Sequence, residues 1–333
     1  MTVTATIPPT KLSISKGKVI PIREELEQLK ELNKEQFIMA KQGIILNDLL
    51  KVAPKKDSYR KDKFADKESF KFEAIELEIH EITGITSSFN TPTKQLLDIL
   101  IIYYNQQGCN GRINVHLDEF MTIRGLTDKK SARKKVNEII KLLCNSFITC
   151  KSEELKKLDK TYNNIPLMET AYIKNSFIVV EFSEQFSEII KESPVMPYPL
   201  ELLEINGKKN PNSFNFLRKI AELENMNSGR IIAVNTLLDN AETISTIDEV
   251  RNTNRQIDRK IIQPLERDLN ALSNVLSWEY RKKGDIPISK KEIEALKYDE
   301  IIGENGLYIK INWHDYPDQS ERINKQKDRK SKS

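Results

Sequence analysis

Three cysteines, three histidines and two tryptophans are few for a chain of 333 residues. Cys109, Cys144 and Cys150 are odd in number, and no two stand in C-x-x-C spacing. That argues against a disulfide framework and against a zinc site. Cys144 falls on an apolar helical stripe and reads as a core residue. His80, His116 and His314 are too far apart in sequence for a paired-histidine metal motif of the relaxase type. No stretch approaches the roughly 20 apolar residues of a membrane span. The first 22 residues lack the apolar run of a secretion signal, so a cytoplasmic location is expected. Phosphate-binding and nucleophile motifs are missing too: there is no G-x-x-x-x-G-K-[ST], no G-x-G-x-x-G and no G-x-S-x-G. The string NGKKN at 206–210 lacks the earlier glycine and the Ser/Thr of a P-loop. No cofactor, no metal and no catalytic site are expected.

What is present is a charged, soluble composition with 38% hydrophobic and 31% charged residues. The length suits about two domains of roughly 150 residues. The net charge is only +4, from 53 basic and 49 acidic residues. Taken whole, that balance says little about nucleic acid. What matters is whether the basic residues cluster on one face.

The punctuation of the chain divides it. Residues 1–70 read as a flexible arm followed by a helical and charged linker region. Pro8, Pro9, Gly17 and Pro21 break the arm, residues 22–52 have helical spacing, and 55–71 look like a linker or solvated loop. The stretch FEAIELEIHEI then fits a strand or a helix. Residues 71–192 form a first unit, 193–210 a connector, 211–317 a second unit and 318–333 a disordered basic tail. The connector carries Pro194, Pro197 and Pro199 but is too apolar to be free, so it is expected to pack the units together.

Each unit has the same order of elements. In the first, a helix opens near Thr91 with Pro92 in its first turn and ends near Gly108. A strand at 112–115, a short helix stopped by Gly125, a long helix over TDKKSARKKVNEIIKLLCN and a strand SFITCKS follow. After a polar loop, NSFIVVEFS is the returning strand. In the second, PNSFNFLRKIAELENMN, RIIAV, NTLLDNA, RQIDRKIIQPLERDLNALSN, VLSWEYRKKG and GLYIKINWHDYP repeat the series, and KKEIEALKYDE has helical character. The expected class is α+β and helix-rich: two tandem winged-helix domains with short β-wings.

A helix-turn-helix core lays its second helix in the major groove, which requires an apolar stripe on one side and basic or amide side chains on the other. In the first unit the face opposite Ala132 and Val136 carries Lys130, Lys134, Asn137 and Lys141, flanked by Lys129, Arg133 and Lys135. In the second, Arg255 and Arg259 lie opposite Ile257 and Ile261, with Lys260 and Gln263 beside them. Arg251, Asn252 and Asn254 stand at the start of that helix, where backbone N–H groups can also face a phosphate. Arg281, Lys282 and Lys283 fall at the hairpin tip. In a lysine-rich chain one charged helix face is ordinarily just solvated. Two clusters at matching positions in one unit make double-stranded DNA the expected partner. Arg and Asn suit base edges and Lys suits phosphate, so the second unit reads as sequence reader and the first as backbone holder. Pro264 inside the second long helix should kink or restart it.

These residues carry a resemblance. NSFIVVEFSEQFSEII with its apolar connector is similar to the first winged-helix domain of iteron-binding plasmid replication initiators. YPLELLEINGKKNPNSFNFLRKIAE, RKIIQPLERDLNALS and LSWEY resemble initiators of plasmids and mobile elements in low-GC bacteria. The resemblance spans residues 70–315 and leaves the N-terminal 70 outside. It implies two domains docking on direct repeats at an origin, the second reading most bases and the first supporting homodimer formation and backbone contact. It also implies a host initiator ATPase and a replicative helicase as partners. A winged-helix transcriptional regulator, or a helicase-loading protein-interaction factor, would use the same fold.

Overall fold

The sheet strands and helices are seen in a computed structural model that describes residues 36–51, 59–62, 66–71, 74–81, 89–150, 163–226, 230–250, 254–296, 298–302 and 306–317. The expected arm at 1–21 and tail at 318–333 lie outside the described residues, as do Arg251 and Asn252. All described residues belong to one compact unit.

The N-terminal region holds more structure than its composition suggests. Strand β1 (Phe37–Lys41) pairs antiparallel with residues 195–199, and α1 (Ile44–Leu50) buries Leu46, Leu49 and Leu50. The helical reading of 22–52 therefore holds for α1 and fails for β1. The linker reading of 55–71 is corrected by a hairpin, β2 (Tyr59–Asp62) and β3 (Lys67–Lys71). Its charges obscured its period. Lys61 meets Glu68 at 2.7 Å across the hairpin, Lys67 meets Glu78 on the next strand, and Phe70 is its buried anchor opposite Leu77. Cross-strand ion pairs replace an apolar stripe here. Strand β4 (Ile75–His80) settles the ambiguous segment: Ile75, Leu77 and Ile79 are buried and their neighbours half-exposed, which is period two.

Helix α2 (Thr91–Gln106) is buried along nearly its whole length and forms the centre of the first module. Pro92 occupies its first turn, where a missing N–H costs nothing, and the left-handed Gly108 follows its end. Strand β5 (Ile113–His116), α3 (Leu117–Ile123) and α4 (Lys129–Cys144) follow as expected, with Gly125 at φ 59° in the turn between the helices. The strands then depart from expectation. Strand β6 (Ser146–Cys150) does not partner the returning strand. It joins β4 and the short β7 (Ile165–Pro166) in a five-stranded sheet β2-β3-β4-β6-β7. The hairpin is instead β8 (Met168–Lys174) with β9 (Phe177–Phe182), turned by Asn175 and Ser176, both at positive φ. Two consecutive positive φ angles give the turn whose twist matches a hairpin. Ser183 caps α5 (Glu184–Glu192), a helix absent from the sequence reading.

Strand β10 (Val195–Pro199) pairs with β1, and α6 (Glu201–Glu204) follows. Buried Gln42 donates to the carbonyls of Met196 and Pro197. The second module contains α7 (Ser213–Asn225), β11 (Ile231–Ala233), α8 (Val234–Asp239) and α9 (Ile247–Val250). Its long helix is α10 (Asn254–Ile257), a π-helical turn (Asp258–Ile262) and α11 (Gln263–Asn270). Strands β12 (Leu276–Lys282) and β13 (Ile286–Pro287), helices α12 (Lys290–Ala295) and α13 (Tyr298–Ile302), and β14 (Tyr308–Trp313) complete it. The segment KKEIEALKYDE thus holds α12 and the start of α13. The sheet order β11-β14-β12 matches β5-β9-β8: in each module the last strand lies between the first two. The repetition seen in the order of elements extends to strand pairing.

Candidate nucleic-acid interface

Helix α4 is set by its cap and its stripe. The Asp128 carboxylate accepts the Lys130 N–H at 3.0 Å, and Ala132, Val136, Ile139, Ile140, Leu142 and Leu143 face the core. The opposite face therefore points outward, and Lys130, Arg133, Lys134, Asn137 and Lys141 are all exposed. The spacing 130, 134, 137, 141 is one stripe of a 3.6-residue helix. Lys129 is paired with Asp118 at 2.7 Å and Lys135 with Glu138 at 3.7 Å. No ion pair among the described residues engages Lys130, Arg133, Lys134 or Lys141. This helical face thus carries four cations that make no ion pair among the described residues.

The helix is anchored from behind. Arg124, in the turn before α4, donates to the Leu203 carbonyl at 2.8 Å, and burial lowers its pKa to about 10. Its charge is committed to packing. Beside α4 the tip of the β8–β9 hairpin exposes Lys174, with Tyr172 40% and Phe177 37% exposed. Tyr172 and Lys174 were missed because β8 was not recognised, and Phe177 because its strand β9 was not seen as one side of a hairpin tip. The alternation in METAYIK and the N-S turn were the available signals.

In the second module Ile257, Ile261, Leu265 and Leu269 are buried, so Arg259, Lys260 and Gln263 are exposed on the outer side. Among the described residues neither Arg259 nor Lys260 is ion-paired. Asn254 and Arg255 open α10, and their side chains lie outside what is described. Pro264 stands two residues after the π turn, and the helix continues past it. A proline lacks its N–H and its ring collides with the carbonyl four residues back; one wider turn at Asp258–Ile262 relieves that collision without ending the helix. Both Ile261 and Ile262 are buried, as expected where an extra residue is inserted.

Buried hydrogen bonds fix this long helix. Asp268 on α11 accepts from the Asn212 backbone N–H at 3.0 Å and from its Nδ2 at 2.6 Å. The Asn212 Oδ1 in turn accepts the N–H groups of Glu242 and Thr243 at 2.7 and 2.9 Å. The Tyr280 hydroxyl donates to Glu266 at 3.1 Å and ties β12 to the helix. At the hairpin tip the three expected cations differ. The Arg281 side chain is 13% exposed and pairs with Glu279 and Asp285. Lys282 meets Glu292 at 2.9 Å, and Lys283 is exposed. The carboxylates that neutralise Arg281 are near neighbours in sequence, Glu279 and Asp285, which a count of basic residues overlooks.

Among the described residues no group of three or more His, Cys, Asp or Glu side chains is placed to hold a metal, and no helix is long and apolar enough to cross a membrane. Burial raises the thiol pKa of all three cysteines, that of Cys150 to about 12.

No protein-family model and no curated protein matches the chain. Solved structures do. A crystal structure of Pi initiator protein in complex with iteron DNA matches with TM-score 0.50 and 12% identity, over 84% of this chain and 98% of that one. Two crystal structures of RctB domains 2 and 3 match with TM-scores of 0.44 and 0.39 and identities of 12% and 11%. They cover 82% of this chain and 97% and 96% of their own. At such identities the likeness is one of fold.

Proposed function

We propose that this chain is a sequence-specific double-stranded DNA-binding protein of the replication-initiator kind, built on two winged-helix modules. The observation that carries the reading is the pair of exposed basic helix faces, Lys130–Arg133–Lys134–Lys141 and Arg259–Lys260, free of ion pairs among the described residues and at the same place in two modules of like strand order. The fold likeness to Pi initiator protein, solved with iteron DNA, supports it. A helix with one buried stripe and cations on its opposite side suits the major groove, and a neighbouring hairpin suits the flanking backbone. In this reading α4 grips phosphates, the π-turn helix reads bases, and chemistry at the origin belongs to host factors.

Footprinting of the purified chain on DNA flanking its own gene tests this. Protection of several direct repeats supports an initiator. A single protected palindrome in a promoter supports a transcriptional regulator instead, and no protection of any duplex removes the DNA-binding reading.

A further inference from the structure

Helix α2 of the first module turns polar and charged side chains into the protein where a core helix would ordinarily be apolar. Lys94, Gln95 and Asp98 are buried, and what they meet belongs to the connector and the second module. Lys94 Nζ donates to Asn215 Oδ1 at 3.0 Å on α7 and pairs with Glu242. Asp98 accepts from Arg218 Nη2 on α7 at 2.5 Å and from the Tyr198 hydroxyl on β10 at 2.8 Å. The Arg218 guanidinium lies over the rings of Tyr198 and Phe214, 5.6 and 5.8 Å from their centroids. Gln95 donates to the carbonyls of Leu202 and Ile205. A second bridge runs through α1: Asp48 accepts the Ala74 N–H at 3.0 Å, and Lys51 pairs with Asp48 at 3.4 Å and with Glu222 of α7 at 2.6 Å.

The burial has a cost. It pushes the Lys94 pKa down and the Asp98 pKa up, and the opposite charges only partly offset it. Two nitrogens of Arg218, Nε and Nη1, are buried with no hydrogen-bond partner among the described residues. Replacing such pairs by well-fitted apolar residues is often neutral or stabilising, so adhesion alone does not account for them. What directed ion pairs supply is a single geometry, since an apolar contact tolerates sliding and a two-sided hydrogen-bonded pair does not. The network also continues to the exposed basic helix of the second module: Glu242 bonds Asn212, which clamps Asp268 on α11.

We propose that Lys94, Asp98, Tyr198, Arg218 and Glu242 are positioning residues that hold the two basic helices at one fixed separation and phase, so that the chain selects the spacing between two stretches of duplex as well as their sequence. The proposal rests on the DNA-binding reading above.

The test uses the full chain and a duplex selected from a random pool by that chain. Footprints of wild type, Lys134→Ala and Arg259→Ala mark the half each module covers. Base pairs are then inserted between the halves, from none to about 10, one helical turn. Wild type is expected to lose at least tenfold in affinity near 5 inserted pairs, where the second half faces away, and not to recover near a full turn, where phase returns but the halves stand about 34 Å further apart. Asp98→Leu with Arg218→Met is expected to flatten that profile to within about threefold while binding of isolated halves is unchanged. Lys94→Met with Glu242→Leu repeats the test on the other pair in case the first variant melts early. A variant profile as steep as that of wild type, or a flat profile for wild type itself, overturns the proposal. If wild type selects no duplex at all, the DNA-binding reading fails and this proposal falls with it.

Discussion

Gln263 Nε2 donates a 2.7 Å hydrogen bond to Asp258 Oδ2, five residues earlier on the same helix. In an α-helix of 3.6 residues per turn, positions five apart lie about 140° round the axis from one another and do not face each other. The π turn between them brings the two side chains to one side. One consequence is that Gln263, a candidate base reader by residue type, is occupied by its own helix. Another is that the cations before and after the turn are re-phased relative to a straight helix.

Pro264→Ala tests that phasing. Alanine restores a backbone donor and removes the ring, so the wide turn can close to ordinary α geometry. The variant is expected to melt no lower than wild type, because a proline inside a helix is unfavourable by up to about 3 kcal/mol. Its preference for the selected duplex over random DNA is expected to fall about tenfold, the worth of one good base contact. An unchanged preference, measured by competition at fixed salt, would show that the turn serves packing alone.

Binding is expected to weaken steeply with salt. Each phosphate neutralised releases counterions, with log K falling by about 0.9 per contact on a log-salt axis. The six cations of the two helix faces that make no ion pair among the described residues, Lys130, Arg133, Lys134, Lys141, Arg259 and Lys260, give a slope of about −5 if each meets one phosphate. Titrations between 50 and 200 mM salt, roughly the range over which such contacts are usually measured, check it. A flat line would rule out both faces as the binding surface.

Glu222 gives a prediction in pH. Burial pushes its carboxyl pKa up, but Lys51 and Lys219 outweigh burial and hold it below the ordinary carboxyl value of 4.5. A depressed carboxyl contributes stability that is present above the unfolded pKa and lost as pH falls through the folded one. Glu222→Gln removes the charge and leaves Lys51 buried beside Asp48 alone. At pH 7 the variant is expected to be less stable than wild type, by about 1.4 kcal/mol for each pKa unit of that depression. As pH drops below 4.5, wild-type Glu222 protonates and becomes nearly isosteric with glutamine, so the gap between the two proteins closes. Denaturant melts at neutral and acid pH measure it; a gap that stays constant would show that the ion pair is not its source.

The long helices were legible in the sequence, the short α5 was not, and the sheets were legible only in part, for a physical reason. Helix α4 announces itself through Asp128, the spacing of Val136, Ile139 and Leu143, and the cations opposite. All of that information is local. The five-stranded sheet is assembled from residues as distant as Phe70 and Ile165, and its edge strands are seated by backbone pairing and ion pairs rather than by apolar alternation. The same holds for the site. Local pattern placed Lys134 and Arg259 on exposed faces. It could not show that Arg281 is neutralised by Glu279 and Asp285, or that Asn212 clamps Asp268 across 56 residues. Lys94 and Asp98 sit in the run TKQLLDILIIYY, where their polarity looks like an ordinary exposed face; only the partner from α7 reveals them as buried.

The division of labour between the modules is open to one comparison. Arg259 lies on the outer side of the π-turn helix, exposed and without an ion pair among the described residues, with Ile257 and Ile261 fixing the opposite side in the core. An arginine so placed can grip a guanine edge with two parallel bonds, worth about 1–3 kcal/mol of discrimination. Lys134 is a point charge on the α4 stripe, suited to a phosphate, and a phosphate contact carries no direct base information. Arg259→Ala is therefore expected to lose roughly 5- to 100-fold in affinity for the selected duplex while sparing much of the weak binding to a scrambled one. Lys134→Ala is expected to weaken both by a similar factor and to reduce the salt slope by about 1. Both residues are exposed, so neither change is expected to shift the melting temperature by more than a degree or two, equivalent to about 0.5 kcal/mol. Fluorescence titration of both variants on both duplexes at one salt concentration gives four affinities. If Lys134→Ala erodes the specific-to-scrambled ratio and Arg259→Ala leaves it intact, the reading helix is α4 and the roles assigned to the two modules are reversed.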